Sequence, residues 1–342
     1  FYEPEDSSSL LSYQEKEDGQ LLEEGISEAG ALSSWIAAAT SYSTHNTPML
    51  PIYIYYSMFG FQRVGDLIWA AGDQRARGFL IGATAGKTTL SGEGLQHQDG
   101  VSQLIASTVP NCRAYDPAYA YELAIIFEHG AKRMLEEQHD EFYYLTVMNE
   151  NYAQPACPEG IEENVIKGMY RLSEKKSSKS KGKVRLLGSG TILQEVEAAA
   201  KMLVDDWQIS TDVFSVTSYS ELERDARDIA RRNRLNGGYQ QSHVEGQLPG
   251  NEPVIATSDY VRACPQLISP YVEGRFVALG TDGFGRSDTR VNLRSFFEVD
   301  RHHIVIAALD ALVRDGLLEQ SVATSALLKY RINQKHSAPW ME

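Results

Sequence analysis

The chain has 342 residues and 46 acidic against 32 basic side chains, a net charge of −14. A surface of that sign lacks the basic face with which a general nucleic-acid binder displaces counterions. Hydrophobic and charged fractions of 42% and 23% are those of a soluble globular protein, long enough for one large domain or two ordinary ones.

Three cysteines, Cys112, Cys157 and Cys264, stand far apart with no CxxC or Cys/His spacing. Neither a disulfide framework nor a zinc site is indicated, and a reducing cytoplasm is the expected setting. No apolar run approaches the roughly 18 residues of a membrane span, so no membrane partner is expected. The first twenty or so residues are polar and acidic, and they lack the basic-then-apolar order of a signal peptide. Without an initiator Met, and opening on two aromatics, the chain reads as a fragment of something longer.

In chain order, 23–43 reads as a helix rich in Ala and Ser, of the kind packed tightly between neighbours. Glu28 sits near its start, where the helix dipole favours a carboxylate; the plain reading is an ordinary first-turn acid. The apolar run 52–56 is of the type expected for a strand buried on both faces. Helical period follows over 61–76, then a short strand at 78–84 and a loop rich in Gly, Thr and Ser that ends in Glu93, Gln96 and His97. A strand at 111–116, a helix at 119–138 and a strand at 141–148 complete an alternation that implies a mainly parallel sheet covered by helices.

The segment SEKKSSKSKGK at 173–183 is Ser- and Lys-rich and reads as an exposed linker rather than a nucleic-acid patch. It divides a first domain, 1–174, from a second, 184–342, with 175–183 between them. Strands are expected at 184–188, 212–217, 254–258 and 276–280. Helices are expected at 191–207, 221–234, 291–297, 304–315 and 320–331. The polar stretch 237–250 has no assignable element.

Two glycine-rich loops invite a phosphate-binding reading. TAGKTT at 84–89 lacks the first glycine of a P-loop at the required spacing, and no GxGxxG follows a strand. GTDGFGRSD at 280–288 is either a turn holding an anion near Arg286 or a tight connection, and the connection is favoured. No GxSxG elbow supports a lipase-like hydrolase. What remains is Glu28, the aromatic set around Tyr56 and Phe59, and the loop with Glu93 and His97. Tyr56 and Phe59 stand at the C-terminal end of a strand, where α/β sheets bind ligands and a planar heterocycle can stack. His97, on a glycine-bracketed loop, can exchange a proton near neutral pH. The residues alone say only that this is the cleft of an α/β enzyme.

The runs EGISEAGA, SWIAAATSYST, PIYIYYSMFGFQRVGDL, GATAGKTTLSGEGLQHQDG, NCRAYDPAYAYE, LGSGTIL, TSYSELERD and LGTDGFGRSDTR closely resemble the C-terminal part of the homodimeric, bacterial-type pyruvate dehydrogenase E1 component. The resemblance covers nearly the whole chain. It implies a transketolase-like fold of two α/β domains with mainly parallel sheets: a pyrimidine-binding middle domain, truncated at its N-terminus, and a transketolase C-terminal-like domain. It further implies thiamine diphosphate as cofactor and Mg2+ bound in a domain outside this chain, so no metal ligand is expected here.

By the same resemblance Glu28 matches the acid that hydrogen-bonds the pyrimidine, a task suited to a carboxyl in apolar surroundings. Phe59 matches the aromatic that stacks on that ring. Tyr56 and His97 match residues around the pyruvate-derived adduct, and Glu93 an acid of the same loop. The implied activity is oxidative decarboxylation of pyruvate and reductive acetylation of the lipoyl group of the dihydrolipoyl acetyltransferase partner, E2, by a homodimer. The rivals are another transketolase-like 2-oxo acid dehydrogenase, or a chain that on its own is inactive and serves dimerisation and assembly.

Overall fold

The computed structural model describes residues 17–332 and 337–342; most of the acidic N-terminal stretch lies outside the described residues. The first half contains α1 (Glu28–Ala39), α2 (Ser41–Thr44), β1 (Ile52–Tyr56), α3 (Phe61–Asp73), β2 (Phe79–Ala83), α4 (Ser102–Ala106), β3 (Cys112–Tyr115), α5 (Ala120–Leu135), β4 (Phe142–Thr146) and α6 (Glu162–Ile166). Its four strands form one wholly parallel sheet in the order β1-β2-β4-β3. Parallel neighbours require crossovers, and the helices that supply them cover both faces. Leu32, Trp35, Ile68, Leu80 and Tyr144 pack on one side. Phe79, Ile126, Met134 and Tyr143 pack on the other.

The second half contains β5 (Met169–Lys175), β6 (Lys183–Gly188), α7 (Leu193–Trp207), β7 (Ser210–Val216), α8 (Tyr219–Asn236), α9 (His243–Gln247), β8 (Val254–Thr257), α10 (Ala263–Gln266), β9 (Phe276–Leu279), α11 (Arg290–Phe296), α12 (Arg301–Arg314) and α13 (Gln320–Lys329). Its sheet runs β5-β7-β6-β8-β9, parallel except for β5, which pairs antiparallel with β7. Leu186, Val196, Val213, Ile304 and Leu309 fill one face, while Leu187, Phe214, Leu222 and Val244 fill the other.

Three expectations change here. The stretch 175–183 does not separate the domains, because it joins β5 to β6 and both belong to the second sheet. The chain enters that sheet at Met169. Strand β1 is not buried on both faces: it is an edge strand, with Ile54 65% and Tyr56 45% exposed. The unassigned stretch 237–250 holds α9, started by a capping box in which Ser242 and Glu245 bond each other's backbone N–H.

Candidate active site

β1 ends at Tyr56, and one tight turn, Ser57–Phe59, leads into α3. Gly60 makes that turn possible, since a Cβ there would lie 2.1 Å from the Tyr55 ring. The turn stands at the C-terminal end of the parallel sheet, the edge at which such sheets place ligands. Phe59 is met edge-on by two rings, Tyr56 at 6.1 Å and His97 at 5.1 Å between centroids. The guanidinium of Arg63, one helical turn further on, lies over the Phe59 ring, 4.2 Å from its centroid.

Arg63 Nη1 also donates to Glu28 Oε1 at 3.0 Å. Glu28 is the first residue of α1, behind an N-cap Ser27 whose Oγ accepts the Gly30 N–H. A carboxylate there is favoured by the helix dipole. The acid sits at the helix mouth, mostly buried, paired with a guanidinium. Its charge reaches Tyr53, whose phenol is pushed up to about 12 by burial first and by the Glu28 carboxylate second.

His97 closes the loop that follows β2, in a short turn at Leu95–His97. Its ring is 5.2 Å from that of Tyr56, and its Nε2 is 4.0 Å from Glu93 Oε2. Its Nδ1 is buried without a hydrogen-bond partner. A buried ring nitrogen left unpaired is costly, so it is a place where a ligand group can bond. Tyr56, Phe59, Glu93 and His97 thus lie along one wall, linked by direct side-chain contacts, and Glu28 is tied to it through Arg63. Arg63, in the first turn of α3, joins it, unanticipated as a site residue.

The loop carrying this wall is shaped by the second domain. Asp259 Oδ1 accepts the backbone N–H and hydroxyl of Thr88 at 2.8 and 2.7 Å; its Oδ2 accepts those of Thr89 at 3.0 and 2.6 Å. The donors a phosphate would need in TAGKTT are therefore already taken by a buried carboxylate. Lys87 Nζ donates to the carbonyls of Thr281 and Gly283, each at 2.5 Å. Burial pushes the Lys87 ammonium down and the Asp259 carboxyl up from their ordinary values. Gln98 ties the loop's far end to Arg286, accepting its N–H at 2.7 Å and donating to its carbonyl at 2.8 Å. The Arg286 guanidinium lies over the Phe296 ring, 4.2 Å from its centroid. The two glycine-rich loops dock on each other. Among the described residues no group of three His, Cys, Asp or Glu side chains could hold a metal ion. Nor is any helix among them long and apolar enough to cross a membrane.

A family model described as the pyruvate dehydrogenase E1 component middle domain matches residues 1–155, and one for the transketolase-like C-terminal domain matches 168–300. The pyruvate dehydrogenase E1 component of Pseudomonas aeruginosa is 59% identical over 342 residues, covering 99% of this chain and 39% of the relative. That of Escherichia coli K12 is 52% identical over 336 residues, covering 97% and 38%. The chain spans about two fifths of the length of the curated relatives it matches. Transketolase from Leishmania mexicana superposes with a TM-score of 0.58 at 16% identity, over 78% of this chain and 34% of that one. A split-gene transketolase, described as an inactive β4 tetramer, gives 0.56 at 17% identity, over 84% and 83%. At such identities the solved structures speak for the fold, which is transketolase-like. With its middle-domain and C-terminal-domain matches and its close relatives along nearly its whole length, the chain is a homologue of the corresponding part of pyruvate dehydrogenase E1 components.

Proposed function

We propose that this chain supplies the pyrimidine-side wall of the active site of a pyruvate dehydrogenase E1 component, a cytoplasmic homodimer that uses thiamine diphosphate and Mg2+. The observation that carries the reading is the contiguous wall from Glu28 through Phe59 and Tyr56 to His97 and Glu93. Its donor set fits the ring end of that cofactor. Phe59 offers a ring face on which a flat cationic group already lies, and Glu28 accepts an N–H from that same group. The diphosphate and Mg2+ fall to another domain of the full protein.

Thiamine diphosphate, when bound, supplies the electron sink for decarboxylation. The chain's own residues bind, orient and move protons. Phe59 would hold the pyrimidine by stacking, and the Glu28 carboxyl would hold a proton toward the pyrimidine nitrogen. Tyr56 and His97, whose Nδ1 has no partner, would orient the pyruvate carboxylate and carry protons. Glu93, 4.0 Å from His97 Nε2, steadies the imidazole. The acetyl group passes to the lipoyl group of the dihydrolipoyl acetyltransferase.

Substituting Glu28→Ala in the full-length protein should abolish pyruvate-dependent acceptor reduction. Unchanged reduction would remove Glu28 from this role. Trying several 2-oxo acids in a decarboxylation assay separates pyruvate from the substrates of related dehydrogenases. The chain by itself should be inactive and serve dimerisation and assembly.

A further inference from the structure

The contacts of Arg63 go beyond a surface ion pair. Its guanidinium covers the ring face of Phe59, 4.2 Å from the centroid, and an N–H of the same group bonds Glu28 at 3.0 Å. Tyr56 and His97 meet Phe59 only edge-on, at interplanar angles of 64° and 66°. A planar group with N–H donors along one edge, stacked on an aromatic face and bonded to a carboxylate, reproduces the two contacts assigned above to an aminopyrimidine. One ring face and one carboxylate oxygen cannot serve two such groups at once.

We propose that Arg63 is a built-in occupant of the pyrimidine seat, displaced when the cofactor's ring enters. The proposal rests on the functional reading of Glu28 and Phe59 given above. Arg63 is suited to the part. Its side chain is 52% exposed, so it can swing into water without unpacking the core. While the seat holds no cofactor, it neutralises Glu28 and covers Phe59. Both contacts are weak in partly exposed settings, which lets a ligand compete for them. Competition of this kind lowers apparent affinity by the fraction of molecules in which the seat is blocked.

The test is made in the full-length protein, with thiamine diphosphate and Mg2+ as the probe. Quenching of intrinsic fluorescence gives Kd, and stopped flow gives the association rate. Arg63→Gln, which loses the charge, should tighten binding by roughly three- to tenfold with faster association. Arg63→Lys keeps the charge without the flat stacking surface, and should fall between Arg63→Gln and wild type. A residue that only braced the fold would, on removal, loosen binding or leave it alone. If wild type binds the cofactor and Arg63→Gln binds it no tighter, the occupant role is overturned while the functional reading stands. If wild type does not bind thiamine diphosphate at all, the functional reading falls and this inference falls with it.

Discussion

The buried carboxylate of Asp259, at the end of β8 in the second domain, accepts both the backbone N–H and the hydroxyl of Thr88 in the first, at 2.8 and 2.7 Å. Its second oxygen does the same for Thr89. One side chain thus sets the conformation of the loop that ends at His97. Asp259→Ala leaves three donors, the Thr88 N–H and hydroxyl and the Thr89 N–H, facing a hole from which water is largely excluded, while the Thr89 hydroxyl keeps Thr191 Oγ1 as a partner. We expect a loss of about 3–5 kcal/mol in unfolding free energy, read from urea denaturation.

Gly86 makes the same dock selective for glycine. Its φ of +87° is disfavoured for side-chain-bearing residues, and a Cβ there would stand 2.3 Å from Asp259 Oδ2. Gly86→Ala should therefore destabilise by more than the roughly 1 kcal/mol of left-handed strain alone. In a double-mutant cycle the two sites should couple, with Gly86→Ala costing less on an Asp259→Ala background.

Which of this was legible in the sequence depended on the range of the signal. Buried apolar runs such as Phe79–Ala83 and Phe142–Thr146 announced central strands, and periodic apolar spacing announced α5 and α7. β5 was missed because MYRLSEK has no apolar residue after Leu172, runs on into the Lys/Ser stretch and lies at a sheet edge. Its fate depended on pairing with β7, some forty residues downstream. For the same reason a Lys/Ser connection inside one sheet looked like a domain boundary. The pairing of Glu28 with Arg63 and of Thr88 with Asp259 spans 35 and 171 residues, beyond any local pattern. Roles for Glu28 and His97 came from the family resemblance, since a first-turn acid and a loop histidine are ordinary features.

Asp116 should give the protein a distinctive pH response. It lies between the domains, buried, with Oδ1 accepting from Thr146 Oγ1 at 2.7 Å and Oδ2 unpartnered. Burial pushes its carboxyl from 3.8 up to about 7. Between about pH 4 and 7 the folded chain keeps a proton that the unfolded chain has released. Each unit of rising pH in that window therefore lowers stability, by at most about 1.4 kcal/mol from this group. Urea midpoints at pH 5 and pH 7 for wild type and Asp116→Asn isolate the effect. The stability advantage of the Asn variant should grow toward pH 7.

Phe59 is tested through affinity rather than turnover. Its ring presents a face, now covered by Arg63, and two edge contacts with Tyr56 and His97. Removing a stacking partner costs about 0.5–1.5 kcal/mol beyond lost area. In the full-length protein Phe59→Ala should weaken thiamine diphosphate binding by roughly three- to tenfold. Phe59→Tyr, which preserves the face, should stay near wild type. Titration followed by fluorescence quenching distinguishes them.

His97 should separate chemistry from binding. It meets Phe59 and Tyr56 in T-shaped contacts, and its Nδ1 has no partner in the fold. Nothing about the ring seat requires an imidazole at this point, whereas a positioned proton carrier contributes on the order of a hundredfold or more to rate. His97→Ala in the full-length protein should therefore lower kcat by about 10²-fold while shifting cofactor Kd less than threefold. Glu93→Gln, which removes the charge 4.0 Å from Nε2, should reduce kcat more modestly. A His97→Ala variant that lost cofactor affinity in step with turnover would instead place the imidazole in the binding seat.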